Sequence, residues 1–310
     1  MAAVSAIEVS GLGRDYGRVR AVDAIDLDVR PGEFFGFLGP NGAGKTTTIR
    51  MLTTLLKPTR GNVHIAGIDI EADPLGVRRK IGVVFQETTL DLDLTADENL
   101  RFCTRLYGLS RKESKTRIDE ALKLFGLEDR RRARVRSFSG GMRRALDLAR
   151  GILHRPAILF LDEPTLGLDP GQRRRIWGFL QQLSAEHGTT LFLTTHYLEE
   201  ADPCDRVAIV DHGSIVASGE PADLKRGLGR ERIDVKTEKP DEFVARVREL
   251  TGREPHHAPH GLSLFVDSSE SLLPKLLPLT QEGVELGVTH PTLEDVFVDL
   301  TGRRREAVAA

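Results

Sequence analysis

Residues 39–46 read Gly39-Pro40-Asn41-Gly42-Ala43-Gly44-Lys45-Thr46, the pattern G-x-x-x-x-G-K-[ST]. A short apolar segment at 33–38 precedes it. A segment with Ile49, Leu52 and Leu56 at helical spacing follows, over 46–56. Strand, glycine-rich turn and helix start, in that order, form an anion nest. The glycines allow successive N–H groups to point inward, and the helix N-terminus adds partial positive charge. In such a nest Lys45 reaches the β and γ phosphates of a nucleotide and the Thr46 hydroxyl ligates Mg²⁺. Further along, Ile158-Leu159-Phe160-Leu161-Asp162-Glu163 is an apolar run ending in two acids. It reads as a buried strand with both carboxylates at its carboxyl end, where α/β sheets bind ligands. Asp162 can then hold Mg²⁺ through water, and Glu163 can polarise an attacking water as general base. A charged strand end is common in any sheet; the phosphate loop upstream is what gives this one meaning.

The elements that must position these residues alternate along the chain. Alternating apolar residues predict strands at 7–9 and 24–29, apolar runs predict strands at 62–65, 80–85, 157–161 and 190–193, and a helix falls at 172–186. The pattern turns helical over about 89–155, with helices predicted at 98–107, 111–125 and 140–153. A polar, glycine-containing run at 225–232 marks a domain boundary at 226/227. Beyond it come strand 233–236, helix 241–250, strand 262–266, helix 271–280, strand 284–288 and helix 292–300, with a frayed tail after Arg303. The sequence therefore predicts an α/β fold whose core sheet is largely parallel, a helical lobe, and a small second α/β domain.

Composition narrows the partners. The 310 residues carry 44 Lys plus Arg against 46 Asp plus Glu, a net charge of −2. That balance argues against coating nucleic acid by bulk charge, so no nucleic-acid partner is expected. With 40 % apolar and 29 % charged residues the chain is globular in composition. No apolar run approaches the roughly 20 residues of a spanning helix. The N-terminal residues lack a basic segment followed by an apolar one, so a cytosolic protein is expected. Cys103 and Cys204 are the two cysteines and read as ordinary core thiols in a reducing compartment. The basic run 130–136 reads first as a solvated face, with anionic lipid or an acidic partner loop as the alternative.

Six motifs stand in order: the phosphate loop, Gln86 after a strand, Ser139-Gly140-Gly141-Met142 at a helix start, the run ending in Asp162-Glu163-Pro164, Gly167-Leu168-Asp169, and Thr194-Thr195-His196 after a strand. This arrangement, over about the first 225 residues, resembles the nucleotide-binding domain of ATP-binding cassette (ABC) transporters. The resemblance implies a P-loop NTPase fold, an α/β nucleotide-binding domain at 1–226 with a mixed, largely parallel core sheet and a helical subdomain at about 89–155, and a C-terminal α/β accessory domain at 227–310. It implies that Tyr16 stacks on adenine and that residues 39–46 with Thr47 bind ATP. Gln86 would touch Mg²⁺ and the attacking water, alongside Thr46 and Asp162 as metal-binding residues. Ser139, Gly140, Gly141 and Met142 would contact the γ phosphate held by the opposite subunit. Asp169 would lie at the dimer interface, and His196 would act as the switch histidine beside Glu163. The commonest signature in the family is Leu-Ser-Gly-Gly-Gln. Here Phe138 keeps an apolar anchor, while Met142 forgoes a polar contact. The resemblance is strongest to the bacterial drug-exporter branch, daunorubicin/doxorubicin resistance ATPases included. Residues 46–56 and the C-terminal stretch 291–302 point the same way.

The resemblance further implies a Mg-ATPase that works as a head-to-tail homodimer. It would serve a separate multi-span membrane permease from the cytoplasmic face of a bacterial plasma membrane, in drug, antibiotic or lipid efflux. Polysaccharide or lipid export, import with a solute receptor, a non-transport cassette ATPase and a nucleotide switch without turnover remain the alternatives.

Overall fold

The computed structural model describes residues 5–258, 261–270, 272–278 and 284–309. They divide into two compact units, Met1–Ser218 and Gly219–Ala310.

In the first unit, β1 (Ile7–Tyr16) and β2 (Val19–Val29) form an antiparallel hairpin. The chain then runs into β3 (Phe34–Leu38), the phosphate loop and α1 (Lys45–Leu52). Next come β4 (Arg60–Ile65), β5 (Ile68–Asp69), α2 (Pro74–Lys80) and β6 (Ile81–Val84). Three helices follow, α3 (Ala96–Leu106), α4 (Arg111–Leu124) and α5 (Gly140–Ile152). The unit ends with β7 (Ile158–Asp162), α6 (Pro170–His187), β8 (Thr190–Thr195), β9 (Arg206–Asp211) and β10 (Ser214–Gly219).

Two sheets result. One is antiparallel, in the order β2-β1-β4-β5. The other has six strands in the order β10-β9-β3-β8-β7-β6, and β9, β3, β8, β7 and β6 pair in parallel. β3, β7 and β8 are buried at every residue, which is why they read as unbroken apolar or small runs rather than alternating ones. Phe192 of β8 meets Phe35, Phe37 and Phe160 at ring separations of 5.4–5.6 Å. Both sheets share one core, into which α1 places Ile49, Met51 and Leu52.

The helical lobe read over 89–155 consists of α3, α4 and α5 packed on one another. Capping boxes start two of them, Thr95 with Glu98 and Ser110 with Glu113. Each satisfies two otherwise unpaired N–H groups. The basic run before α5 divides: Arg131 pairs with Asp97 and Asp119, Arg136 with Asp93, and Val135 is buried, whereas Arg130, Arg132 and Arg134 are exposed.

The second unit begins with α7 (Pro221–Arg226) and β11 (Glu231–Lys236). It continues with α8 (Pro240–Thr251), β12 (His256–Ala258), β13 (Gly261–Val266), α9 (Leu273–Leu276), β14 (Glu285–Thr289) and α10 (Leu293–Ala309). Its sheet is antiparallel, in the order β12-β13-β11-β14, over a core that includes Ile233, Val235, Phe243, Val247 and Leu264. The C-terminal motif has a structural job here. Asp295 accepts from the Thr292 amide (2.8 Å) and hydroxyl (2.9 Å), and pairs with Arg232 of β11 at 2.6 Å. That contact pins the start of α10 to the sheet while Leu293 and Val296 are buried.

Several elements depart from the sequence reading. β9 and β10 are additional to the expected strands, although Val207–Val210 is a fully buried apolar run. Helix α1 stops at Leu52 because Thr53 caps it and Thr54 turns to a left-handed φ of 63°. The division between units falls at 218/219, because α7 packs with α10. Helix α10 continues to Ala309 instead of fraying after Arg303. Of the helix read at 271–280, only Leu273–Leu276 is regular, and residues 271, 279 and 280 lie outside the described residues.

Candidate active site

The phosphate loop leaves β3 at Gly39, where a Cβ would come within 2.2 Å of the Val210 carbonyl oxygen. Gly44 closes the loop as the residue before α1, with φ 101°, and a Cβ there would meet the Ala21 carbonyl oxygen at 2.5 Å. Both positions demand glycine, so these two motif residues are packing requirements as much as binding ones. Pro40, Asn41 and Gly42 are exposed, Ala43 is buried, and Thr46 and Thr47 are half-buried. Lys45 folds back under the loop. Its ammonium donates to the carbonyls of Gly39 (2.8 Å) and Pro40 (3.1 Å) and lies 3.6 Å from Glu163 Oε1. Burial pulls the Lys45 pKa below that of a free lysine, and Glu163 and Asp162 oppose the shift.

Strand register brings the other groups to the same sheet edge. β7 and β8 pair with Asp162 opposite Thr194, and β8 and β3 with Thr195 opposite Leu38. The last residues of all three strands therefore stand side by side, at their carboxyl ends. The Thr194 hydroxyl donates to Asp162 Oδ1 at 2.6 Å, and the Thr46 hydroxyl donates to the same oxygen at 3.4 Å. Just past β7, Glu163 takes a left-handed φ of 47°. Its amide donates to the carbonyl and hydroxyl oxygens of Thr194, at 3.1 and 3.2 Å. Its carboxylate lies between two nitrogens, with Oε1 toward Lys45 and Oε2 at 3.1 Å from His196 Nδ1. The histidine contact has ion-pair distance without the alignment of a hydrogen bond. The His196 ring packs on Tyr197 at 4.0 Å between ring centres, and Tyr197 in turn carries the Arg173 guanidinium at 4.6 Å.

Lys45, Thr46, Asp162, Glu163 and His196 thus form one cluster, with Thr194 joining them. Among the described residues, no hydrogen bond or ion pair joins Gln86, Tyr16, residues 139–142 or Asp169 to it. Gln86 is exposed two residues beyond β6. Tyr16, at the end of β1, is 46 % exposed, with the Arg14 guanidinium 4.8 Å from its ring centre. Ser139 caps α5, accepting from the Met142 amide at 3.3 Å. A Cβ at Gly141 would come within 2.6 Å of the end of the Gln172 side chain, which would have to move aside. Among the described residues, no hydrogen bond or ion pair joins residues 139–142 to the phosphate loop. Asp169 caps α6, accepting from the amides of Gly171 and Gln172, each at 2.9 Å.

Two functional residues give little signal in the sequence. Thr194 stands there only as part of a motif, and its bond to Asp162 depends on the β7–β8 register. Arg144 gives no signal beyond being one of several arginines on a helix; buried on α5, it binds main-chain carbonyls around Asp162 and Glu163.

The oxygens in the cluster suit Mg²⁺. A threonine hydroxyl and an aspartate converge, both hard ligands, and this ion takes one or two protein carboxylates and completes its shell with water and phosphate oxygens. Among the described residues no group of three or more His, Cys, Asp or Glu side chains gathers to hold a metal by itself. Nor is any helix long and apolar enough to cross a membrane among those residues.

Residues 22–166 match the family described as ABC transporter. The chain is 42 % identical to the daunorubicin resistance ATP-binding protein DrrA3 of Streptomyces coeruleorubidus, over 99 % of each chain. It is 38 % identical to the Nod factor export ATP-binding protein I of Rhizobium sp. (strain N33), over 97 % of this chain and 98 % of that one. Among solved structures it resembles an ATP-binding cassette captured as a dimer in a post-hydrolysis state with ADP and Pi. That match has a TM-score of 0.63 and 29 % identity, and covers 69 % of this chain and 98 % of the other.

Proposed function

Since this chain belongs to the ABC transporter family as an ATP-binding subunit, we propose that it is the ATP-driven motor of an exporter, with a drug-like or antibiotic cargo crossing the bilayer through a separate permease. It is an ATPase with the P-loop NTPase fold of ABC cassettes. The observation that carries the mechanism is the convergence of Lys45, Thr46, Asp162, Glu163 and His196 at the ends of β3, β7 and β8.

In this reading the loop amides and Lys45 grip the β and γ phosphates. Thr46 and Asp162 would hold Mg²⁺, which neutralises developing charge on the phosphates. Glu163 accepts a proton from the attacking water, and His196 beside it orients its carboxylate. Residues 139–142 lie on a different element from the loop, so a second copy would complete each site head to tail, as the dimeric relative supports. ATP then favours closure because both copies contact its γ phosphate, and hydrolysis withdraws that shared contact. The Asp169 and Gln86 roles belong to this same closed state.

Tyr16 would stack on adenine. Tyr16→Ala is expected to weaken ATP affinity by roughly 5- to 150-fold, from the roughly 1–3 kcal/mol of base stacking, with Phe retaining most of it. Titration with ATP and with inorganic triphosphate checks this, and equal losses for both would remove the stacking role.

Coupling to a permease needs a docking face. Phe102 and Leu106, one turn apart on α3, are 62 % and 71 % exposed, and Leu92 and Tyr107 are exposed nearby. Together they would receive a permease helix, placing the protein at the cytoplasmic membrane face. The paired change Phe102→Glu with Leu106→Glu is expected to abolish stimulation of ATPase by the permease in proteoliposomes while basal hydrolysis stays unchanged. Undiminished stimulation would move the docking face elsewhere.

The export reading is tested by reconstituting the chain with a candidate multi-span permease from the same genome and measuring ATP-dependent movement of candidate drugs out of the cytoplasmic compartment. A requirement for a soluble solute receptor would overturn it. Polysaccharide or lipid cargo is the second reading; the Rhizobium relative named for Nod factor export shows that relatives of this chain are not confined to drug resistance.

A further inference from the structure

Arg144 is 7 % exposed, and the hydrogen bonds of its guanidinium all go to main-chain carbonyls. Nε donates to Pro164 O at 2.8 Å, and Nη2 to Asp162 O and Glu163 O, both at 3.2 Å. Nη1 donates to Phe85 O, the carbonyl just before Gln86. Three consecutive carbonyls turned to one side repel one another, and a planar fork of cationic donors is the side chain that suits such an arrangement. Asp147, buried one turn further along α5 and paired with Arg150 at 2.9 Å, adds opposite charge beneath it.

The carbonyls bracket the one backbone position in the cluster that is out of the ordinary, Glu163 with φ 47°. A left-handed glutamate persists only where its surroundings over-determine it. Thr194 holds the amide side of Glu163, through both its oxygens. The carbonyl side is held by Arg144.

We propose that Arg144 is a positioning residue: it locks the Glu163 backbone so that the carboxylate faces Lys45 and His196, and it ties that setting to α5 and to the segment carrying Gln86. The inference rests on Glu163 being the general base. Arg144 touches no reacting atom; it acts through the base it orients. Because α5 starts at the signature residues, the same side chain links the chemistry to the surface offered to the second copy.

The test uses the full-length chain with Arg144→Gln, Arg144→Lys, Glu163→Gln and the Arg144→Gln/Glu163→Gln double variant. ATP hydrolysis and binding of a fluorescent (MANT) ATP are measured for each. Arg144→Gln is expected to lower kcat roughly 10- to 100-fold, the scale of a misplaced catalytic group. KM and MANT-ATP affinity are expected to change by less than about twofold, since ground-state binding is untouched. Arg144→Lys should recover part of the rate and also serves if the glutamine variant fails to fold. In the Glu163→Gln background, Arg144→Gln should cost nothing further. An equal loss in both backgrounds, an unchanged kcat, or a fall in affinity matching the fall in kcat would each overturn the proposal. A Glu163→Gln enzyme working at the wild-type rate would instead remove the assignment of the base itself.

Discussion

Glu163→Gln is expected to slow Mg·ATP hydrolysis by roughly 10²- to 10⁴-fold, the span general-base catalysis supplies. The change is nearly isosteric, so packing around a side chain buried between Lys45 and His196 is kept. What is lost is the basic oxygen that takes the water proton. The loop amides, Lys45 and Thr46 remain, so ATP should bind with affinity close to wild type. The two copies should then close on the nucleotide and stay closed. Gel filtration with and without Mg·ATP reads this directly: a shift from monomer to dimer mass, persistent over hours, is the expected result. Turnover at the wild-type rate would remove Glu163 as the base. Slow turnover without the shift would leave the base in place and dismantle the shared-site dimer.

Lys45→Ala acts on the other half of the cycle. Charge-assisted hydrogen bonds contribute about 1.5–3 kcal/mol each, so ATP affinity is expected to drop roughly 10- to 150-fold. Hydrolysis is expected to fall with it, since in the proposed mechanism the same ammonium would face the transferred phosphoryl group. The truncation also leaves Glu163 without its 3.6 Å cationic neighbour and removes the ammonium that donates to the Gly39 and Pro40 carbonyls. Some thermal stability should be lost as well, because a buried carboxylate keeps only the His196 contact. Calorimetric titration with ATP well below the melting temperature separates the two effects. Undiminished binding would show that the ammonium faces away from the phosphates. Set against Glu163→Gln, the contrast is diagnostic: one variant binds without turning over, the other scarcely binds.

Much of the candidate site is legible in the chain itself because its motifs are contiguous. In residues 39–46, neighbours in sequence are neighbours in space, and a loop that turns strand into helix needs glycine where Val210 and Ala21 crowd it. Asp162 and Glu163 are legible for a similar reason, as the polar end of an apolar strand. The apolar run of β9 is equally visible, yet the short irregular stretch before it hides its place in the alternation of strands and helices. In the second unit, alternation of strand and helix announces the class of fold, while the antiparallel order β12-β13-β11-β14 lies beyond it, since pairing partners leave no local trace.

Residue types and spacing on their own determined that this protein is a nucleotide-binding α/β protein, with a phosphate loop and two acids at a strand end; the ABC cassette entered through the resemblance its ordered motifs carry. Tertiary structure alone decided how those groups face one another: Thr194 against Asp162 through strand register, His196 and Lys45 on either side of Glu163, and Arg144 under the carbonyls that set the Glu163 backbone. The physical reason is the nature of the partners. A motif encodes side-chain chemistry over a few adjacent residues. Main-chain carbonyls are identical at every position, so only the folded path of the chain reveals which of them a buried arginine gathers.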